Sequence, residues 1–250
     1  GAACFNPAFP IKPQQQDGEF VVSGDSTSIG YVVGAQIAPK EKLAIGFSHR
    51  SEIKHDLEGT LDFTVPGAAA TALGPVRMAA FADGDGGARL VTPSITTLSI
   101  SYGFTDQFRV MADYQATGWS SLQDVTIKRS NGTVVGSEDF SWKDTDFFSV
   151  GVEYDLSEAF TLRAGVGKDE SPTNDVTRTP RLPDDDRMLY SLGMSWAMSD
   201  HLTIDAAYQR ITIEDPVINL GVHLPSDLST LQGTYSGSAN LFGVSMQYRF

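Results

Sequence analysis

Apolar and polar side chains alternate with a period of two along most of this chain. The last segment shows the pattern most clearly, with apolar residues at Phe242, Val244, Met246, Tyr248 and Phe250 and small or polar residues between them. Successive side chains of a β-strand point to opposite faces of the sheet, so the pattern predicts strands with one apolar and one polar face. Similar segments begin at Leu43, Leu98, Phe108, Val150, Phe160, Tyr190 and Leu202. Because no comparable helical period is present, we expect an all-β fold.

The predicted strands are joined alternately by short and long connections. The short connections lie at residues 38–42, 105–107, 156–159 and 198–201. The long connections are rich in Gly, Pro, Asp and Thr and cover roughly residues 55–92, 120–146, 168–187 and 214–238. This alternation is typical of an antiparallel transmembrane β-barrel of an outer membrane, which has short periplasmic turns and long extracellular loops.

The strand count has to agree with the positions of the two chain ends. With a further segment near residues 29–37 the strands number nine, whereas single-chain bacterial barrels usually have an even number, with both ends in the periplasm. We therefore expect one more strand at Glu19–Ser23 and a barrel of about ten strands over residues 18–250, preceded by a separate segment at residues 1–17.

A soluble antiparallel β-sandwich would show the same alternation, so other features have to distinguish the two folds. The polar faces are rich in Gly and Ser, and aromatic residues stand at the strand ends, as in the aromatic girdles of membrane barrels. The chain also closes on Tyr248 and Phe250, which resembles the signal read by the barrel assembly machinery. These features favour the multi-pass barrel of a Gram-negative outer membrane.

Composition excludes several classes of function. The net charge of -13 argues against nucleic acid, because no basic patch is available to neutralise phosphates. No apolar run reaches the length of a transmembrane helix. The chain contains a single cysteine, Cys4, with no metal-ligand spacing, and it lacks the common catalytic motifs. We expect no enzyme activity, no cofactor and no metal site.

Charged residues recur on the face that is predicted to point into the barrel. Alternation assigns to this face Arg50, Glu52, Lys54, Arg109, Asp113, Glu153, Arg163, Asp205 and Arg249. Positive and negative charges are nearly balanced in this set. Balanced charges favour a salt-bridged network that fills a narrow lumen, whereas an ion-selective pore would present charges of one sign.

The apolar alternation changes face near the end of the segment that begins at Leu202. Ile211 and Ile213 fall on the face that carries Asp205 and Gln209. Either a β-bulge re-aims the strand, or the strand leaves the bilayer and the two isoleucines line an apolar upper lumen above the polar floor. The second alternative would suit a hydrophobic ligand.

Acidic residues are concentrated in the long connections, including Asp83, Asp85 and Asp184–Asp186. Such clusters are consistent with divalent cations at a lipopolysaccharide surface. They are equally consistent with solvated loops, and the sequence leaves both interpretations open.

Several longer motifs occur within and between the predicted strands. They are Ser48–Gly59, Thr117–Ser120, Leu162–Gly165 and Thr177–Arg187, together with Asn6, Pro7 and Ala8 near the start. These segments resemble the FadL/TodX family of outer-membrane transporters of long-chain fatty acids and hydrophobic compounds. Asn6, Pro7 and Ala8 resemble the Asn-Pro-Ala motif of that family's N-terminal hatch.

The resemblance implies a fourteen-stranded barrel plugged by the hatch, with hydrophobic ligands captured at the extracellular loops and released sideways into the bilayer. Here the hatch motif is followed almost at once by segments that lie near mid-chain in the family, so residues 1–17 are expected to be a hatch remnant and the early strands to be missing. The resemblance also implies a ligand-entrance loop with Arg178, Pro180, Arg181, Asp185 and Arg187.

Two functions remain open at this point. The first is transport of hydrophobic small molecules such as fatty acids, hydrocarbons or detergents, by a protein that contacts outer-membrane lipid and lipopolysaccharide. The second is a small structural or adhesive barrel that has lost transport. The second predicts a lumen closed by paired charges with no apolar cavity.

Overall fold

The computed structural model describes residues 17–220 and 231–250. The predicted hatch motif at Asn6, Pro7 and Ala8 lies outside these residues. Within them the strands are β1 (Glu19–Asp25), β2 (Val32–Lys40), β3 (Leu43–Arg50), β4 (Ile53–Thr64), β5 (Gly84–Thr92), β6 (Ile95–Gly103), β7 (Phe108–Thr117), β8 (Asp124–Arg129), β9 (Val134–Asp139), β10 (Thr145–Asp155), β11 (Phe160–Asp169), β12 (Arg187–Ser199), β13 (Leu202–Ile213), β14 (Val217–Leu220), β15 (Leu231–Thr234) and β16 (Gly237–Tyr248). The helical segments are α1 (Gly67–Met78) and two 3-10 turns, Ala79–Phe81 and Trp119–Ser121.

Nine strands form one large antiparallel sheet in the order β16, β13, β12, β11, β10, β7, β6, β3, β2. The four predicted short connections join β2 to β3, β6 to β7, β10 to β11 and β12 to β13, which confirms their positions. In the part of the chain that the structure describes, β2 and β16 stand at the two ends of this order. We call the two ends of the strands the short-turn end and the long-loop end.

The apolar face of the large sheet is exposed. Phe148 is 56% exposed, Leu192 60% and Phe242 79%. Among the described residues, the buried hydrophobic side chains are Leu61, Leu122 and Ile218, and all three lie outside the large sheet. A soluble sandwich would bury one face of such a sheet in a core, whereas a membrane barrel turns this face to lipid. The burial pattern therefore matches the predicted barrel.

A salt bridge joins two of the short turns. Lys42 Nζ donates a hydrogen bond to Asp106 Oδ1 at 2.5 Å. This hydrogen bond, and then the lysine charge, hold the pKa of Asp106 below its ordinary value. Because both side chains are open to solvent, the pair positions the turns and contributes little to stability.

The long connections contain a second sheet that the sequence interpretation missed. Its order is β1, β4, β5, β8, β9. The expected strand at Glu19–Ser23 exists as β1, but its placement in the barrel wall was wrong, because β1 pairs with β4 in this smaller sheet. A hairpin of β14 and β15 occupies a further long connection.

The expectation that no helical segment competes with the strands was also wrong in one place. The alanine-rich segment Gly67–Met78 forms α1, with a kink where Gly74 takes a positive φ of 70° before Pro75. The described residues contain no helix that is both long and apolar enough to cross a membrane.

Close contact between β1 and β4 makes Gly59 a sensitive position. A methyl group built on Gly59 would lie 1.9 Å from the carbonyl oxygen of Ser23. We expect Gly59→Ala to separate β1 from β4 and to lower stability by about 1–3 kcal/mol, the usual cost of overpacking. Hydrogen exchange of the β1 amides, together with thermal unfolding, measures the effect.

Gly136→Ala in β9 is the matched control, because nothing lies within 4 Å of the position of its added methyl group. Equal protection of β1 in both variants would show that the close approach of Ser23 to Gly59 does not constrain this sheet.

Candidate functional site

The strand β13 keeps a regular register with its two neighbouring strands over almost its whole length. β13 pairs with β16 residue by residue from Leu202 to Ile213, without a shift. Its pairing with β12 shifts only near Ala197, at the short-turn end. No bulge therefore separates Asp205 from Ile211, so Ile211 and Ile213 share the face of Asp205, and their place in an apolar upper lumen stays a prediction.

An apolar band lies on this polar face, towards the long-loop end. Leu189 of β12 is directly opposite Ile211 of β13, and Leu241 of β16 is opposite Gln209 one step lower. Ile213 extends the band one step above Ile211, whereas Phe147 of β10 lies in the same row as Ile213 but is separated from it by Asp169 and Arg187. Leu241 is 48% exposed although it lies on the polar face. The band offers apolar surface to a ligand that lies against the inner face of the sheet.

Below the band, a carboxylate from β10 joins two arginines from the neighbouring strands. Glu153 pairs in register with Arg109 of β7 and Arg163 of β11. Arg109 Nη1 donates to Glu153 Oε1, and Arg163 Nε donates to Glu153 Oε2 at 2.7 Å. Arg163 Nη1 also reaches Ser195 Oγ at 2.6 Å. Side chains of four adjacent strands are thus linked across the inner wall.

Two aspartates of the predicted charge network accept hydrogen bonds from serines and are not paired with lysine or arginine side chains. Asp113 accepts hydrogen bonds from Ser99 at 2.5 Å and from Ser149 at 3.3 Å, one to each oxygen. Asp205 accepts in the same way from Ser195 and, at 3.3 Å, from Ser245. We call these the two Ser–Asp–Ser rows. Each places a serine on both strands that flank the aspartate.

The structure does not bring the other predicted network residues into this cluster. β3 ends at Arg50, and Glu52 pairs with Lys54 at 3.1 Å in the junction between the two sheets. Arg249 follows the last strand, where its backbone N–H donates to His201 O at 2.8 Å at the short-turn end. Extending the alternation through these positions fails because the strands end there.

Arg178 is the central residue of the predicted ligand-entrance loop. Its side chain is only 2% exposed. Nε donates to Asp184 O at 2.9 Å, Nη1 to Asp175 Oδ1 and to Val217 O at 2.9 Å, and Nη2 to Thr173 Oγ1 at 3.3 Å and Asp185 Oδ2 at 3.2 Å. All five N–H donors of the guanidinium are used. Arg178 therefore ties its own loop to the β14–β15 hairpin, with no donor left for a ligand.

The remaining loop residues differ in exposure. Arg187 binds Asp184 through Nη2 at 2.7 Å and Asp169 through Nη1 at 3.5 Å. Arg181 is 74% exposed and pairs with Glu138 of β9. Pro180 is exposed beside it, whereas Asp185 is held by Arg178. The exposed tip at Pro180 and Arg181 is the part of this loop that is accessible from outside.

A neighbouring turn is clamped in a strained conformation. Ser141 has a φ of 46°, which is uncommon for a residue with a side chain. Asn174 Nδ2 donates to Phe140 O and Ser141 O, and Thr177 Oγ1 donates to Phe140 O at 2.6 Å. Nearby, hydrogen bonds from Ser120 lower the pKa of Asp144. The entrance loop and the β9–β10 connection are therefore fixed to each other.

The smaller sheet has one polar and one apolar face. Its polar face borders an open cavity of about 1330 Å³. Lining this cavity are the carboxylates Asp25, Asp56, Glu58, Asp85 and Asp124 and the cationic residues Arg89, Lys128 and Arg129. Arg89 is already paired with Asp56 at 2.7 Å, and Arg129 donates to Ala80 O. Within residues 17–220 and 231–250, no cluster of His, Cys, Asp and Glu has the arrangement of a metal site.

The sequence interpretation did not identify the serines that bind the aspartates. Each of these serines is the direct cross-strand partner of an aspartate and has the parity of that face: Ser99 and Ser149 for Asp113, and Ser195 and Ser245 for Asp205. That parity is a usable signal once the register is known, because direct cross-strand partners lie on one face.

Together, these features define a class of protein. A large antiparallel sheet with an exposed apolar face, a polar inner face, short turns and long structured loops is a transmembrane β-barrel of the outer-membrane type. The family described as "Outer membrane protein transport protein (OMPP1/FadL/TodX)" matches residues 3–250. The chain belongs to this family, which confirms the resemblance found in its motifs, and its location is the bacterial outer membrane.

Curated relatives agree with this assignment. A 47 kDa outer membrane protein of Pasteurella multocida is 27% identical over 92% of this chain and 52% of its own length. A long-chain fatty acid transport protein of Escherichia coli O6:H1 is 23% identical over 92% of this chain and 51% of its own length. The chain spans about half the length of the curated relatives it matches.

Solved structures show the same fold. A FadL homologue from Pseudomonas aeruginosa superimposes with a TM-score of 0.80 at 26% identity, and the match covers 99% of this chain and 59% of the other. The toluene transporter TodX of P. putida gives a TM-score of 0.56 at 16% identity over 94% of this chain and 54% of its own. The second likeness concerns the fold alone.

Proposed function

We propose that this protein takes up hydrophobic small molecules across the outer membrane, with long-chain fatty acids and hydrocarbons as candidate ligands. The apolar band on the inner face, formed by Leu189, Ile211, Ile213 and Leu241, is the observation that supports this function. Sites for small hydrophobic molecules are lined mainly by apolar side chains with a few polar groups beside them. Membership in a family of transport proteins, and relatives named for fatty acid and toluene transport, agree with the proposal.

In this proposal the residues divide into three roles. The apolar band holds the ligand. Arg109, Glu153 and Arg163 stiffen the wall beneath it, and Arg178 fixes the loops through which the ligand enters. Residues 1–17 would act as the hatch. Catalysis has no part in the proposal.

The proposed partners follow from the location of the protein in the outer membrane. Tyr248 and Phe250, whose rings stand 5.1 Å apart at the end of the last strand, would be read by the barrel assembly machinery. The acidic long-loop end would face lipopolysaccharide, and the exposed apolar face would contact outer-membrane lipid.

Uptake into liposomes tests the function. We expect liposomes that contain the protein to take up a labelled hydrophobic compound several times faster than empty liposomes. Ile211→Asp should abolish most of this difference, because a charge in the apolar band has to be desolvated when the ligand binds. Stopped-flow fluorescence of a probe inside the liposomes measures the rate.

Ile211→Leu is the control, since it keeps the size and apolar character of the side chain. Equal uptake by empty and protein-containing liposomes would contradict transport and would favour the structural or adhesive barrel. If Ile211→Asp and Ile211→Leu transport equally well, the ligand does not pass the apolar band.

A further inference from the structure

The inner face of β12, β13 and β16 changes character in three steps from the long-loop end to the short-turn end. First comes the apolar band with Leu189, Ile211 and Leu241. Below it, Gln209 Nε2 donates to Ser191 Oγ at 3.0 Å, which uses one of its two N–H donors within the wall. At the bottom lies the Ser–Asp–Ser row centred on Asp205.

Between the band and Asp205 the wall is lined by small residues. Gly193, Ala207 and Gly243 lie side by side in one cross-strand row. A methyl group built on Gly243 would have nothing within 4 Å, so this part of the inner face is open space. A ligand that lies on the apolar band can therefore extend down the wall until its end meets Asp205.

The hydrogen bonds at Asp205 determine which head group fits there. An ionised carboxylate has about four acceptor positions and no donor. Asp205 receives one hydroxyl on each oxygen, from Ser195 and Ser245, so about half of its acceptor capacity is unused. Hydroxyl donors supply dipoles but no positive charge, and the negative charge of Asp205 stays on the wall.

The nearest arginine does not reverse this preference. Arg163 uses two of its five N–H donors, on Glu153 at 2.7 Å and on Ser195 at 2.6 Å, and it makes no direct ion pair with Asp205. Its partner Arg109 donates to the same glutamate. In the described residues, the end of the open wall thus presents an acceptor with a negative charge, which binds a donor and repels a second carboxylate.

Resting on the proposed function, we propose that the inner face of β12, β13 and β16 binds hydrophobic molecules with a neutral hydroxyl head group, long-chain alcohols or phenols, in preference to fatty carboxylates. The chain of the ligand lies on Leu189, Ile211 and Leu241. Its hydroxyl donates to Asp205 in the space over Gly243.

Binding of two ligands that differ only in the head group tests this proposal. Labelled dodecan-1-ol and dodecanoate are equilibrated with protein-containing and with empty liposomes, at a pH where dodecanoate is ionised. The difference between the two liposome samples corrects for partitioning into lipid. We expect dodecan-1-ol to bind about tenfold more tightly, the ratio that corresponds to one hydrogen bond to a charged acceptor.

Asp205→Asn removes the charge with little change in shape, and we expect it to reduce the alcohol-to-carboxylate ratio to about one. Asp155→Asn is the matched control. Asp155 accepts from Thr161 at 2.6 Å and lies in the same cross-strand row as Asp205, but three strands away on β10, so its removal should leave the ratio near ten. The heat-modifiable shift on gels verifies that each variant is folded.

The possible results separate this inference from the proposed function. Equal binding of alcohol and carboxylate to the parent protein would overturn the head-group preference and leave transport of hydrophobic molecules intact. A ratio that Asp205→Asn does not change would overturn the role of Asp205. If neither ligand binds more than in empty liposomes, both proposals fail.

Discussion

Arg178→Met is expected to lower the stability of the extracellular loops by about 3–5 kcal/mol, the cost of removing one partner from a buried charge cluster. The guanidinium of Arg178 is 2% exposed and fills five acceptors, among them the carbonyl of Val217 and the carboxylates of Asp175 and Asp185. Methionine fills similar space but leaves the carbonyl of Val217 and the half-buried Asp185 without their donor, whereas Asp175 is 71% exposed and can bind water instead. Faster hydrogen exchange in β14 and β15, together with the thermal transition, would report the loss.

Two further variants make this expectation specific. Arg178→Lys keeps the charge but has three donors instead of five, so we expect an intermediate loss. Arg181→Met, three residues away, removes an exposed pair with Glu138 and should cost no more than about 1 kcal/mol. If Arg178→Met and Arg181→Met destabilise the loops equally, the hydrogen bonds to Arg178 do not hold the hairpin.

The second large effect is expected at Glu153. Glu153→Gln removes the shared partner of Arg109 and Arg163, which then repel each other across β10. The glutamate is 14% exposed, but both arginines are about half exposed, so solvent reduces the cost to about 1–3 kcal/mol. The temperature at which the protein loses its compact form on gels should fall accordingly.

Glu158→Gln supplies the comparison for this variant, because Glu158 is exposed in the turn between β10 and β11. Its effect should lie within about 0.5 kcal/mol, as for most surface substitutions. Similar transition temperatures for Glu153→Gln and the parent protein would show that the two arginines are solvated well enough to need no carboxylate.

The large sheet could be predicted from the sequence because lipid and lumen impose opposite demands on alternate residues. Phe242, Val244 and Met246 repeat with the period that a strand requires, and the structure places them on the exposed face. The same parity put Glu153 and Arg163 on one face, where they are in contact. Alternation shows which face of the sheet a residue lies on only within one continuous strand.

The prediction from alternation failed where the chain changes its pairing partner. Alternation was extended from β3 through Glu52 to Lys54, but the ladder changes partner after Arg50, so the parity no longer refers to the same sheet. Leu57, Leu61 and Phe63 alternate with polar residues inside the long connection that was predicted for residues 55–92. Their pattern was visible, but the glycines around it suggested a loop.

The burial of Arg178 had no sequence signal. One of its acceptors, Val217 O, is 39 residues away and belongs to a different long connection. Arginine is seldom buried, and the acidic residues nearby were as consistent with a solvated loop. Only the folded loop shows that these charges face one another.

The order of the large sheet has a consequence for how the chain acquires its structure. Every strand of this sheet is bonded to the sheet strands that come before and after it. Four strands of the small sheet are inserted within the β3–β6 and β7–β10 connections, and the fifth, β1, precedes β2. Contacts of low sequence separation form quickly, since little loop entropy is lost when they close. We expect the hairpins to form one after another, with the inserted strands completing their pairing last. Folding would then advance along the chain as a sequence of local steps.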